Sequence, residues 1–482
     1  MTSKPTPPST DPQQERALKL LLWLVAVGFF MQTLDATIVN TALPAMAASL
    51  GESPLRMQSV VVAYSLTMAM LIPASGWMAD RFGMRRIYVA AILLFVLGSV
   101  LCAVASNLTL LVTARVVQGL GGALLLPVGR LVVLRTFPRE RFLQAMSFVA
   151  IPGLVGPLVG PTLGGWLVEV ASWHWIFLIN VPVGVIGALA TLRYMPTPAP
   201  ATVGRFDLAG YLLLAFGMVS LSLALDGLSG LGLRQASVLV LMIFGLASLT
   251  AYWLHALRRP DPLFSPHLFQ LGSLRIGLLG NLFSRLGSSC MPFLIPLLLQ
   301  VTMGYSPAQA GMMMLPVAIA SMSMKKLTTP LITRHGYRRV LVVNTLLVGL
   351  AMASFAFSSP DQPLAVRIVQ LALFGAVNSL QFTAMNTLTL KDLGPAMASS
   401  GNSMLSMVQM LAMGMGVAAA GAVLAAFTAF FGGEGAQTLS SFRATFATMA
   451  LITIASAGIF WQLDARDSAV AAGATERNVE AG

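Results

Sequence analysis

The chain is short of charge. Only 10% of its 482 residues are Asp, Glu, Lys or Arg, against 56% hydrophobic, and the mean hydropathy is +0.81. So few charges cannot cover the surface of a water-soluble domain of this length, which excludes a soluble globular protein. Acids are scarcer than bases, 17 against 29, for a net charge of +12. The excess does not indicate nucleic-acid binding, because the bases form short clusters between apolar segments and no continuous stripe. The two cysteines, Cys102 and Cys290, fall inside apolar runs without a His or Cys cluster beside them. That argues against a disulfide framework and gives no support for a structural metal. The polar segments hold no nucleophile with a partnering base and no Walker-type phosphate loop, so neither an enzyme nor an ATP-driven pump is indicated, and no cofactor is expected. None is long enough to be a soluble output domain.

What the sequence has is apolar length. Stretches of about 20 residues, enough to span a bilayer, fall at 17–43, 55–78, 87–106, 108–134, 142–168, 175–195, 207–226, 235–257, 272–302, 307–327, 340–358, 362–390, 396–430 and 441–463. The expected fold is an all-α polytopic membrane protein with fourteen transmembrane helices; twelve or thirteen also fit the hydropathy. With the N-terminus in the cytoplasm, only Arg56, Arg234 and Arg443 face outward, and Arg115, Arg130, Arg275, Arg285 and Arg367 lie within spans. The remaining bases are then cytoplasmic, which favours an even count with both tails, 1–16 and 464–482, inside.

The chain also repeats itself. "GWMADRFGMRR", Gly76 to Arg86, recurs as "TPLITRHGYRR", Thr329 to Arg339, and "RVVQ", Arg115 to Gln118, recurs as "RIVQ", Arg367 to Gln370. The offsets, 253 and 252, nearly agree. Two homologous six-helix bundles are implied, 17–195 and 272–463, with two further helices inserted at 207–257 between linkers 196–206 and 258–271. Two halves around a midplane site are what alternating access requires, so a transporter is expected.

Five blocks carry a family resemblance: "LDATIVNTALP" in the first span, "GWMADRFGMRR", "LVTARVVQGLGG", "GPLVGPTLGG" (Gly156 to Gly165) and "WHWIFLINVPVG". The chain resembles the major facilitator superfamily, in its fourteen-helix drug:proton antiporter branch. The resemblance implies a monomeric proton-coupled exporter of small organic compounds in the bacterial inner membrane. Two departures stand out. The second loop copy has Thr329 and Thr333 where the first has Gly76 and Asp80, and His174 stands where the family usually has arginine.

Asp35 is the one acid deep inside a span. A charged side chain there costs roughly 2.5 to 3.5 kcal/mol on insertion scales, so a function is expected of it. Helical rise puts it about 27 Å from the inner end of the first span, and puts Arg115 at a similar depth. The resemblance implies that the two face one cavity and couple proton movement to transport. Gly76, Asp80, Arg81, Gly83, Arg85 and Arg86 are expected to form a gating loop, with Asp80 locked by its neighbouring arginines. Gly156, Pro157, Gly160, Pro161, Gly164 and Gly165 are expected to pack closely and, by resemblance, to seal the pathway. Candidate cavity residues are Gln32, Arg115, Gln118, Asn281, Arg285, Arg367, Asn378 and Gln381. The resemblance suggests lipophilic drugs, often cations, whereas three arginines against one acid suggest an anionic metabolite, a carboxylate or an anionic metal chelate. An uncoupled facilitator or importer is a further alternative.

Overall fold

The computed structural model describes residues 12–137, 139–196, 205–227, 235–393, 395–432 and 436–463. They form α-helices and short 3-10 turns, with no strand among them. In chain order the helices are α1 (Pro12–Leu50), α2 (Gln58–Phe82), α3 (Met84–Ala103), α4 (Leu108–Thr136), α5 (Arg139–Val170), α6 (Trp175–Leu178) and α7 (Asn180–Tyr194). Then come α8 (Leu208–Gly227), α9 (Gln235–Arg258), α10 (Gly272–Ser288), α11 (Met291–Val301) and α12 (Pro307–Met312). The last five are α13 (Leu315–Ser354), α14 (Leu364–Leu390), α15 (Pro395–Phe431), α16 (Ala436–Ala455) and α17 (Ala457–Trp461). Twelve stretches among the described residues are long and apolar enough to cross a membrane, so this is a multi-pass membrane protein.

The first helix starts before the apolar run and ends after it. Residues 12–16 are helical although the sequence reading placed them in the tail; Gln, Glu and Arg favour helix without being apolar, and hydropathy registers only the membrane part. Residues 1–11, 464–482, most of the 196–206 linker and Glu434 lie outside the described residues.

Chain reversals fall where glycine permits them. Gly83 has φ 90° between α2 and α3, and Gly336, 253 residues later, has φ 73° and breaks α13 into two helical parts. Side chains cap other starts. Asn107 accepts from Leu110 N–H at α4, and Ser306 with Gln309 forms a reciprocal capping box at α12.

Without water to drive helices together, close packing holds the bundle, and glycine allows it. Gly156 and Gly160 of α5 lie against Thr33 and Thr37 of α1, and a Cβ on Gly164 would come within 2.6 Å of the Ile38 carbonyl. Thr33 and Thr37 donate back to Phe29 and Thr33 carbonyls, 3.0 and 3.1 Å, so their hydroxyls need nothing from α5. Two glycines make a second contact, between α5 and α12. Gly165 meets the Pro307 carbonyl and Gly311 meets the Pro161 carbonyl. Thr162 Oγ1 donates to Gly311 O (3.2 Å), and Glu169 Oε2 accepts from Ser306 Oγ (2.8 Å) and Ala308 N (3.2 Å). Beside them Gln300 of α11 donates to Thr41 O of α1 (3.0 Å).

The contacts between α5 and α12 lie at the end opposite the basic turns around Gly83, Phe137 and Gly336. At the basic end, Arg130 of α4 donates to Asn402 of α15 (3.3 Å). Helices α2 and α15 pack along their length, from Gln58 against Gly421, past Ser65 against Gly414, to Ala69 with Met404 and Met407. The pair α8 and α9, held by Gly217 against Leu249 and Gly245 against Leu221, sits outside α2 and α15.

Gly76, by contrast, is not closely packed. A Cβ there would meet nothing within 4 Å. Gly164→Ala should therefore lower stability by about 1–3 kcal/mol, since the obstructing atom is backbone and cannot move aside. Gly76→Ala should be neutral or stabilise by up to about 1 kcal/mol, as alanine does in a helix interior. Thermal unfolding of the two purified variants checks this, and an equal loss in both would contradict the packing.

Candidate functional site

The polar centre of the N-terminal helices is built around a carboxylate with a separate donor for each demand. Asp35 Oδ2 accepts from Arg115 Nη1 at 2.6 Å, and Oδ1 accepts from Gln118 Nε2 at 2.7 Å and Asn180 Nδ2 at 3.2 Å. Arg115 also donates from Nε to the Val60 carbonyl (3.2 Å) and from Nη1 to Gln118 Oε1 (2.6 Å). Its guanidinium lies 4.1 Å over the Tyr64 ring. Ser99 Oγ accepts from both Gln118 Nε2 (2.9 Å) and Asn180 Nδ2 (3.3 Å). One network therefore joins α1, α2, α3, α4 and α7.

All of it is sealed. Asp35 and Gln118 are 0% exposed and Arg115 is 1% exposed. Arg115 and Gln118 accordingly do not line a substrate cavity in this conformation; they sit between helices of one bundle because the only deep acid, on α1, needs their donors. Asn180 and Ser99 were missed by the sequence reading. Asn180 stands inside the quoted block "WHWIFLINVPVG", and that block was the available signal.

The second RxxQ copy has a different task. Arg367 donates to the Ser359 carbonyl (2.9 Å) and to the Tyr305 hydroxyl, and Gln370 donates to the Ser354 carbonyl (3.0 Å). Arg367 lies in the first turn of α14 and fastens the 355–363 connection, so it too leaves the candidate cavity. No acid corresponding to Asp35 is available to draw it inward: position 288, at the repeat offset, is serine. Gln381 is likewise buried, accepting from Asn344 (2.8 Å) and donating to Thr345 (2.7 Å) across α13 and α14. Gln32 is buried one turn from Asp35, its Oε1 without a partner.

What remains forms a wall. Asn378, Phe382 and Asn386 follow one another at four-residue spacing on α14, and Asn386 accepts from Gln409 of α15 (2.6 Å). Phe382 is 41% exposed, yet it lies about two and a half turns from the exposed Leu373 and so faces the opposite way, into the bundle. Arg285, in the last turn of α10, holds its guanidinium 4.4 Å over that ring. Its Nε donates to Asn281 Oδ1 (3.1 Å), Nη2 is buried without a partner, and no carboxylate pairs with it among the described residues. Asn281, itself fully buried and donating to the Gly277 carbonyl (2.9 Å), orients Arg285 from behind the wall.

At the basic end Asp80 pairs with Arg135 of α4 at 2.6 Å. The expected lock to Arg81, Arg85 and Arg86 is not the one made. Gly83 turns the chain away at φ 90°, leaving Arg81 and Arg86 exposed and Arg85 donating to the Leu192 carbonyl of α7. Of the span 5 motif, Gly156, Gly160, Gly164, Gly165 and Pro161 make the contacts described above, and Pro157 is exposed.

The family model described as Major Facilitator Superfamily matches residues 25–417. Among curated proteins, the chain is 54% identical over 406 residues to "Putative multidrug resistance protein MdtD" of Serratia proteamaculans, covering 84% of this chain and 85% of that one. It is 51% identical over 448 residues to the protein of the same name from Pectobacterium atrosepticum, covering 93% and 96%. Similar solved folds include a POT family transporter in complex with 5-aminolevulinic acid (TM-score 0.67, 14% identity, 92% and 95% covered). Another is the human organic anion transporter MFSD10 (TM-score 0.59, 15% identity, 93% and 100% covered). With a family match across most of its length and relatives more than half identical, this chain belongs to the major facilitator superfamily and is one of its membrane transporters.

Proposed function

We propose that the protein is a proton-coupled exporter of small organic compounds, of the multidrug-efflux type, working by alternating access in the bacterial inner membrane with both termini cytoplasmic. The proposal includes fourteen spans: 307–357 counts as two, divided at Gly336, and α5 is added. The observation that carries the coupling is Asp35, the one acid deep in a span, with both carboxylate oxygens held by donors from neighbouring helices. Arg115, Gln118 and Asn180 engage both carboxylate oxygens, so cancelling the Asp35 charge would weaken contacts that join five helices at once. That is the kind of local charge event that can bias a two-state bundle.

Asp35→Asn keeps the shape and one acceptor oxygen and removes the titratable group. Reconstituted in proteoliposomes with an imposed pH gradient, this variant should lose uphill transport while still binding substrate. Accumulation against a gradient by Asp35→Asn would take Asp35 out of the mechanism.

The Asp80–Arg135 pair is proposed as the gate tie at the basic end. Being partly exposed, it contributes at most about 1 kcal/mol, which suits a contact that must break and reform in each cycle. Arg135→Asp should slow transport with little change in thermal stability, and the reversed pair Asp80→Arg/Arg135→Asp should recover part of the flux. Equal flux in the wild type and Arg135→Asp would exclude the tie.

A second reading of the substrate rests on Arg285. A guanidinium stacked on an inward-facing ring, with an unused donor and no carboxylate, suits a carboxylate-bearing or otherwise anionic compound better than a cation. Arg285→Ala should lower affinity for an organic anion by roughly 10- to 100-fold, the value of a charged hydrogen bond, and leave a permanent lipophilic cation unaffected. The opposite selectivity would leave the cationic-drug reading.

A further inference from the structure

A cavity of about 720 Å³ with a mixed apolar and basic lining lies at the basic end, outside the bundle interior, where α9 ends and the 259–271 connection leads into α10. Arg259 and Arg275 line it, with His267, Gln270, Trp253 and Phe269. Arg275, in the first turn of α10, is exposed, and its guanidinium has no hydrogen-bond or ion-pair partner among the described residues. Arg259 uses only Nε internally, toward the Asp261 carbonyl (3.3 Å) and Asp207 Oδ1 (3.5 Å).

Asp207 pairs with Arg259, so the cavity's cation without a counter-charge among the described residues is Arg275. Asp207 is almost fully buried and already accepts from His255 Nε2 (2.9 Å), Gly210 N (3.0 Å) and Leu263 N (3.2 Å). Burial pushes its pKa up, but those hydrogen bonds outweigh it and hold the carboxyl below the usual carboxylate range. Asp261 is exposed and does not line the cavity.

The apolar side of the cavity faces lipid. Trp253 is 41% exposed and meets Phe269 edge-to-face, ring centroids 5.3 Å apart, in the interfacial position that tryptophan favours. From there the outer face of α9 continues through Leu257, Leu254 and Leu246, all at least half exposed. A basic recess at headgroup depth, opening onto an apolar helix face, selects a ligand that is anionic at one end and a hydrocarbon at the other.

We propose that this cavity binds the headgroup of an anionic phospholipid, with its phosphodiester at Arg259 and Arg275 and its acyl chains along the Leu246, Leu254 and Leu257 face of α9. A free phosphate compound would use the two arginines but gain nothing from that face. Occupancy would add a tie between the α8–α9 pair and the start of α10.

Native mass spectrometry of the purified full chain, mixed with phosphatidylglycerol or phosphatidylcholine, tests the site. Phosphatidylglycerol should be retained in preference to phosphatidylcholine. Arg275→Glu and Arg275→Gln should each lower its retention, by about fivefold or more, the effect of one interfacial charge. Arg275→Lys should preserve it, and glycerol 3-phosphate should not displace the bound lipid. Equal retention of the two lipids, or unchanged phosphatidylglycerol retention in folded Arg275→Gln, would overturn the proposal. Displacement by glycerol 3-phosphate would show a site for soluble phosphates instead and would equally refute the lipid assignment.

Discussion

The contact on which the N-terminal half depends is the buried pair of Asp35 and Arg115. Two charges withdrawn from water into a membrane bundle repay their desolvation only if every lone pair and N–H is satisfied. This one requirement accounts for Gln118 one turn along α4 and for groups on three further helices: the Val60 carbonyl of α2, Ser99 of α3 and Asn180 of α7. The Tyr64 ring closes the remaining face of the guanidinium. Removing one charge from a sealed pair of this kind typically costs roughly 3–5 kcal/mol, so the pair is structural whatever else it does. The structural and coupling roles belong together, since a group that nothing depends on could not transmit its charge state.

The two RxxQ copies show how one inherited pattern can diverge when its counter-charge is absent. Arg115 has an acid to meet inside the bundle, and Arg367 has none. Its guanidinium therefore turns to backbone and hydroxyl oxygens at the rim and fastens a connection instead. The loop motif diverges in the same way. Asp80 reaches another helix, whereas Thr333 bonds back to the carbonyls of its own helix at Thr329 and Pro330. Gly83 and Gly336, which serve only the backbone, both keep a positive φ.

The helical, multi-pass character was legible in composition and hydropathy, because membrane burial demands apolar length and little else. The singling out of Asp35 was legible too, since an acid in such a segment needs a reason. The partners were less so. Whether Arg115 meets Asp35 depends on which faces of α1 and α4 oppose each other, and sequence spacing does not fix that; the resemblance supplied it. Depth along a helix was a poor guide to the cavity, because it says nothing of direction around the axis. Arg367 and Gln381 lie at suitable residue counts, yet the first bonds to connections at the rim and the second to a neighbouring helix. Phe382 faces inward but is apolar, and a search for polar groups passes over it.

The closest approach between α5 and α12 is main chain on main chain, Gly165 at Pro307 and Gly311 at Pro161. A closure made of side chains can flicker open by rotamer changes in picoseconds to nanoseconds, admitting a small ion each time. Two abutting backbones have no such small motion available. They part only when whole helices translate, on the slower scale of microseconds to milliseconds. In the proposed cycle this makes passage at that end all-or-none. Tightness against protons is then set by the rigidity of two helices, independent of how well any side chain fits its neighbour.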